Sequence, residues 1–254
     1  EVKVLLSGEG ADESLAGYDF DRVVGSLDLS NNRRLRRFFP QSARSTFAGN
    51  YRKNPVVMTN QYSSSDKSLA LLSGSEFPDS LDHARRALSE VPHLDPLDQI
   101  LHVYRQDWLV EDLLFRADRM SMANSLEVRT PYLDYRLVSW LAQLPIDRKV
   151  GTENDQTVTK RLLRRYAKGR LPDFVSARPK MGFSIPVYEW VDREFIAWTN
   201  NSLLAPGGTR VTEILRQDFV ENTVRFGVSP TSSLHDRHRL WTLITLEYWL
   251  RART

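Results

Sequence analysis

The residues best suited to chemistry stand together near the start of the chain. Ser7-Gly8-Glu9-Gly10-Ala11-Asp12-Glu13 places three carboxylates and two glycines where a short apolar run, Val2-Lys3-Val4-Leu5-Leu6, gives way to a helical pattern. Glycines let the backbone approach a ligand closely, and the first turn of a helix offers unpaired N–H groups to anionic oxygens. Carboxylates repel phosphate, so a divalent cation is the natural mediator; Mg²⁺ is typically held by one or two carboxylates together with phosphate oxygens. Asp12 is the first candidate for that metal. The same pattern also fits acidic residues that only complement the dipole of the helix they begin. The motif by itself leaves both readings open.

Two further segments bear on the choice. From Arg116 to Asp134 both signs of charge alternate densely with small residues: Arg116-Ala117-Asp118-Arg119-Met120-Ser121-Met122-Ala123-Asn124-Ser125-Leu126-Glu127-Val128-Arg129-Thr130-Pro131-Tyr132-Leu133-Asp134. The structural expectation is a buried ion-pair network in which Asp118, Arg119, Glu127, Arg129 and Asp134 neutralise one another. The segment Arg178-Pro179-Lys180-Met181-Gly182-Phe183-Ser184-Ile185-Pro186 reads as a loop that presents a lysine. Lys180 could meet phosphate oxygens or charge developing in a transition state, or could simply be a surface lysine.

The elements that must position these groups are mostly helical. Val2 to Leu6 predicts a buried parallel strand, with sheet partners expected upstream of residue 1. Ser80 predicts an N-cap for a helix carrying Leu81, Ala84, Leu88 and Val91 on one face. After Pro92 and Pro96 a second stripe, Leu97, Ile100, Leu101, Tyr104 and Trp108, predicts a core-facing helix. Leu137 to Leu144, ended by Pro145, and Thr159 to Lys168, ended by Gly169, predict two more. Leu240, Leu243, Ile244 and Tyr248 define a last helix, with Trp241 and Trp249 expected to anchor it. Residues 28 to 80, with the cluster Arg33, Arg34, Arg36 and Arg37 and the polar run Ser63-Ser64-Ser65-Asp66, predict helical pieces joined by mobile loops. That arginine run reads first as a solvated helix face. Gly207-Gly208 and Gly227 to Pro230 mark late loops.

Bulk composition narrows the class. A chain of 254 residues with 41% hydrophobic content can bury a substantial core, and a single domain is the default. The absence of cysteine excludes disulfides, thiolate zinc sites and a cysteine nucleophile. No apolar run approaches the roughly 18 residues that cross a bilayer, so a soluble protein is expected, and the absence of cysteine makes a cytoplasmic location the expected one. A formal charge of +3 falls short of a nucleic-acid footprint. His235 and His238 lie at zinc-like spacing but lack a third ligand nearby, and read as surface residues. Residue 1 is Glu rather than Met, so the N-terminus reads as a cut.

In this order and spacing the three segments resemble the glutamine-hydrolysing asparagine synthase family. Its pattern is a Ser-Gly-Glu-Gly-Ala-Asp-Glu turn followed by Gly-Gly-Tyr, a Asp-Arg-x-Ser-Met-Ala block running into Glu-x-Arg-x-Pro-Phe-Leu-Asp, and a Arg-x-Lys-x-Gly-Phe loop. The match runs from Leu5 to the helix of Leu240 to Leu250. The resemblance implies a mainly α fold: the helical C-terminal part of an α/β adenine-nucleotide α-hydrolase-like (ATP pyrophosphatase) domain, with a remnant parallel strand at the N-terminus. It makes residues 1–254 a partial synthetase domain, with the glutaminase domain and the Ser-Gly-Gly-x-Asp-Ser pyrophosphate loop expected upstream.

The activity implied is that of a carbon–nitrogen ligase with glutamine as amide donor. Aspartate attacks the α-phosphate of ATP, pyrophosphate leaves, and glutamine-derived ammonia displaces AMP from aspartyl-AMP to give asparagine. By resemblance the catalytic residues are Lys180, Glu9 and Asp12. Ser7, Gly8 and Glu9 would meet the nucleotide; Glu9, Tyr18 and Glu127 would contact substrate; Asp12 would hold Mg²⁺. ATP and Mg²⁺ are the implied cofactors. The partners are small molecules (aspartate, ATP and ammonia), not nucleic acid or membrane, and a homodimer of the full-length parent is compatible. Ala16-Gly17-Tyr18 departs from Gly-Gly-Tyr, and Tyr132 stands for the usual Phe. β-Lactam synthetases, lasso-peptide cyclases and surface-polysaccharide amidotransferases share the scaffold, so the acceptor rests on family frequency. The competing class is a non-catalytic helical module, whose mark would be loss of the charged residues that are present here.

Overall fold

A computed structural model describes residues 2–18, 82–153, 156–176, 178, 191–205 and 209–253. The chain divides into two compact units, Glu1–Gln61 with Ser80–Met181 and Tyr62–Asp79 with Gly182–Thr254. The arginine cluster at 33–37, the polar run 63–66, the expected cap at Ser80, Gly207-Gly208 and the loop carrying Lys180 lie outside the described residues.

The first unit is mainly helical with two small sheets. β1 (Val4–Leu6) pairs in parallel with β2 (Glu127–Arg129), placing Val4 opposite Glu127, Leu5 opposite Val128 and Leu6 opposite Arg129. The strand is parallel as expected, but it is exposed rather than buried, Leu6 to 77%. Its partner among the described residues, β2, lies downstream in the chain. Neither face of a two-stranded ribbon is covered by the ribbon itself, and the described residues of this unit leave all three β1 side chains in solvent. A second, antiparallel hairpin joins β3 (Gly151–Glu153) to β4 (Gln156–Val158).

The helices follow the apolar spacing closely. α1 (Ala11–Leu15) is a single buried turn and more, and α2 (Asp82–Glu90) seats Ala84 and Ala87. α3 (Pro96–Gln106) has proline at its first position, where the missing N–H costs nothing, and buries Leu97, Ile100, Leu101 and Tyr104. These join Ala16 and Val150 in the unit's central core, with Tyr18 and Ile146 packed against it. The stripe stops one residue early: Trp108 is 42% exposed. There Asp107 leaves the helical region, with φ −116° and ψ −80°, and a π-helical segment, Trp108–Leu114, begins after it.

Beyond it run α4 (Phe115–Met122), β2, a 3₁₀ turn at Pro131–Leu133, α5 (Tyr135–Ala142), α6 (Ile146–Lys149), the hairpin, α7 (Arg161–Ala167) and α8 (Asp173–Ser176). The stretch from Asp118 to Asp134 is not a buried network. Asp118, Arg119, Glu127 and Arg129 are exposed; Glu127 pairs with Arg129, and Arg119 lies 4.8 Å over the Phe115 ring. Asp134 instead caps α5 by accepting from the Arg136 N–H at 2.9 Å, and the Arg136 guanidinium holds its carboxyl well below the usual carboxylate range. Water solvates these charges, so no mutual neutralisation is required of them.

The second unit is helical throughout its described residues. α9 (Arg193–Leu203) is capped by Asp192, α10 (Gln217–Gly227) follows a 3₁₀ turn at Arg210–Glu213, and α11 (Leu234–Arg251) begins at a reciprocal Ser233–Asp236 capping box. Leu203, Val211, Val220, Val224, Leu240, Leu243 and Ile244 form its core. Tyr248 stacks on Trp198 at 5.4 Å, near the surface, and Trp249 is 49% exposed with Arg253 over its ring. Trp249 therefore does not anchor α11. No helix among the described residues is long and apolar enough to cross a membrane.

Candidate active site

The acidic turn stands at the carboxyl end of β1, where the Ser7 N–H continues the pairing to the Arg129 carbonyl at 2.8 Å. The C-terminal ends of two parallel strands thus open side by side, one into Ser7-Gly8 and the other into Thr130-Pro131, the edge at which open α/β sheets place their ligands. Within the turn the Ser7 hydroxyl accepts from the Glu9 N–H at 3.3 Å, and the Gly8 carbonyl accepts from the Ala11 N–H at 3.3 Å. Gly10 adopts φ +87°, and a Cβ there would sit 2.1 Å from Leu133 Cδ2. Glycine is required at that position by both backbone and space. Gly8 differs, with nothing within 4 Å of where its Cβ would stand.

α1 then directs its two carboxylates to different partners. Glu13 is almost wholly buried, at 1% exposure, and accepts a short hydrogen bond from the Tyr18 hydroxyl. Burial pushes the Glu13 carboxyl up, with the Tyr18 bond opposing and the nearby charges of Asp12 and Glu9 adding to the rise. Tyr18 is itself held edge-on against Tyr104 at 5.3 Å, and its hydroxyl is pushed upward by burial and by Glu13. The Arg105 guanidinium, disfavoured as a charge by burial, donates to the Glu13 carbonyl at 3.2 Å and so ties α3 to the end of α1. Below it Lys149, 1% exposed, pairs with Asp98 at 2.5 Å.

Asp12 faces a cation that sequence reasoning missed. The Lys160 ammonium lies 2.9 Å from Asp12 Oδ1, both side chains about four-fifths buried, at 22% and 19% exposure. Lys160 leads into α7 in the left-handed region, φ +50°, a conformation that costs a non-glycine residue about 1 kcal/mol or more. Its N–H donates to the Leu15 carbonyl at 3.2 Å, which binds the residue to the end of α1. Gly17 leaves room for the pair, since a Cβ there would meet Asp12 Oδ1 at 1.8 Å and Lys160 Cε at 2.3 Å. Ala16, where the family pattern has glycine, also adopts a left-handed φ of +57°. A lysine in Thr-Val-Thr-Lys carries no local signal; a glycine after a helix end, at Gly17, was the available hint that something packs closely there.

The fold therefore brings Ser7, Gly8, Glu9, Asp12 and Tyr18 into one neighbourhood. Glu127 stands apart, at the N-terminal end of β2 opposite Val4, two residues before the end of the strand where the turn lies. Lys180 lies outside the described residues. Among the described residues no group of three or more His, Asp or Glu side chains could hold a metal ion. A cation held by one carboxylate and a ligand's phosphate oxygens does not need such a group.

The described residues are mainly helical, and the acidic glycine turn stands where the two parallel strands end. The asparagine synthase family model matches residues 1–251, and the chain belongs to the asparagine synthase family. It is 30% identical to a protein named putative asparagine synthetase [glutamine-hydrolyzing] from Mycobacterium tuberculosis (strain ATCC 25618 / H37Rv), over 98% of this chain and 39% of that protein. It is 26% identical to asparagine synthetase [glutamine-hydrolyzing] 1 from Bacillus subtilis (strain 168), over 98% of this chain and 40% of that protein. The chain thus spans about two fifths of the length of the curated relatives it matches. No solved structure is a significant match.

Proposed function

We propose that this chain is the C-terminal part of a synthetase domain that forms an amide at the cost of ATP, making asparagine from aspartate through aspartyl-AMP with glutamine-derived ammonia. The supporting observation is the turn from Ser7 to Glu13, in a chain of this family, set at the ends of two parallel strands with Asp12 held on a buried polar scaffold. The parallel pair suits the α/β nucleotide-binding architecture that the resemblance implies. Glutaminase coupling, a dimeric parent and a cytoplasmic location belong to the same proposal.

In this reading Ser7 and Gly8 lie along the nucleotide, because the open space beside Gly8 lets phosphate oxygens approach the backbone. Glu9 lines the pocket for aspartyl-AMP. Asp12 supplies the carboxylate for Mg²⁺, which when bound would neutralise charge on the departing pyrophosphate. Lys180 adds an ammonium to the same charge. The Tyr18 hydroxyl donates to Glu13 and so helps fix the residue beside Asp12; contact of Tyr18 or Glu127 with substrate rests on the resemblance.

The test is pyrophosphate release from ATP with Mg²⁺, aspartate and ammonia. It is run on the chain and on a longer polypeptide in which the chain follows a Ser-Gly-Gly-x-Asp-Ser loop. The longer protein should release pyrophosphate only with aspartate, and Asp12→Ala and Lys180→Ala should each slow it by roughly 100-fold or more, as loss of a charge-stabilising group does. The chain alone should be inactive. Release with a different carboxylic acid would keep the chemistry and change the acceptor, whereas none under any condition would favour a non-catalytic module.

A further inference from the structure

Lys160 is placed with more care than a surface ion pair requires. It accepts a left-handed backbone, its N–H is bonded to the Leu15 carbonyl, and its stem fills space that any side chain at residue 17 would take. The product of these constraints is an ammonium 2.9 Å from Asp12 Oδ1, at the turn where an anionic ligand and its cation would arrive. A carboxylate already neutralised by a fixed ammonium attracts a free divalent cation weakly, and a fixed ammonium beside a carboxylate attracts a free anion weakly. Each group masks the other.

We propose that Lys160 is a placeholder cation for Asp12, and that the pair separates only when a divalent cation and an oligophosphate arrive together. Asp12 then exchanges the ammonium for the metal, while Lys160 turns to the phosphate oxygens. Charge is conserved in the exchange, since one internal pair becomes two pairs with the ligand. The turn so discriminates the metal complex of an oligophosphate from either component alone. The inference rests on reading Asp12 as the metal carboxylate, and it adds Lys160 to the residues that determine binding.

The experiment uses the chain itself and two separate probes: Mn²⁺ alone, followed by the electron paramagnetic resonance of the free ion, and metal-free tripolyphosphate, followed by calorimetry. Lys160→Met should tighten Mn²⁺ binding by roughly fivefold or more, the lower range of measured coupling between two sites, and weaken tripolyphosphate. Asp12→Asn should do the reverse, weakening Mn²⁺ and tightening tripolyphosphate, and Lys160→Arg should restore the unsubstituted behaviour. A role confined to stability cannot move two affinities in opposite directions. Should Lys160→Met leave Mn²⁺ binding within about twofold of the unsubstituted chain, too small a change for coupled sites, the placeholder is overturned. Should Lys160→Met tighten Mn²⁺ equally with Asp12 or Asn at residue 12, it is the metal assignment to Asp12 that fails. Lys160→Gln, which keeps a polar stem, is read in the same way if the methionine variant does not fold.

Discussion

Gly10 has Leu133 packed where a Cβ would stand, while Gly8 in the same turn has only open space. Gly10→Ala would combine a left-handed alanine, about 1–2 kcal/mol, with overpacking of about 1–3 kcal/mol, so urea unfolding should show a loss of roughly 2–5 kcal/mol. Gly8→Ala should change stability by less than about 0.5 kcal/mol, as at most open surface positions, while lowering nucleotide affinity in the longer polypeptide. The motif alone treats the two glycines alike; the left-handed backbone of Gly10 and the neighbour at Leu133 separate them. Glu13 makes a second residue-level prediction. Its carboxyl, raised by burial above its ordinary value of 4.5, takes up a proton at higher pH in the folded chain than in the unfolded one. Folding is therefore favoured below that window, and the contribution is lost as pH rises through it, with a slope of up to about 1.4 kcal/mol per pH unit. Urea titrations in metal-free buffer between neutrality and pH 5 should show unfolding free energy rising on acidification. Glu13→Gln should flatten that rise while keeping an acceptor for Tyr18.

Among elements, the 3₁₀ turn at Arg210–Glu213 depends on a residue of another helix. Glu247, fully buried on α11, accepts from the Val211 N–H at 2.8 Å and the Arg210 N–H at 3.3 Å, and pairs with Arg251, which also donates to the Ser202 carbonyl. Glu247→Ala would strand buried donors and a half-covered guanidinium, and should destabilise the second unit by about 3 kcal/mol. Asp192→Ala, which removes only the cap of α9, should cost about 1 kcal/mol. Tryptophan fluorescence during denaturation would compare them. Helices of this kind were legible where their apolar period was unbroken, as from Leu97 to Tyr104. They were misread where the winding changed, as at Trp108, or where an aromatic stacks at the surface, as Trp249 does. The strands β2, β3 and β4 are three residues each. That is too short for an alternating pattern, and Glu127-Val128-Arg129 looks more like a charged loop than a strand. Glu247 reads as a routine helix acid until its partners on the preceding turn are known.

At the scale of the molecule, the sequence carried the acidic turn and its place after a strand, because both are local. It did not carry the Asp12–Lys160 or Asp98–Lys149 pairs, which depend on segments far apart in the chain meeting in the fold. The exposed ribbon has a practical consequence for solution behaviour. Val4, Leu5 and Leu6 present exposed apolar side chains, and a formal charge of +3 gives little mutual repulsion between molecules. Concentrated samples should self-associate through this edge, and added salt should promote it by screening what repulsion there is. Leu6→Lys, at a position 77% exposed, should lower light scattering at a given concentration without shifting the unfolding midpoint. The strand that carries the acidic turn would then also set how densely the protein can be kept.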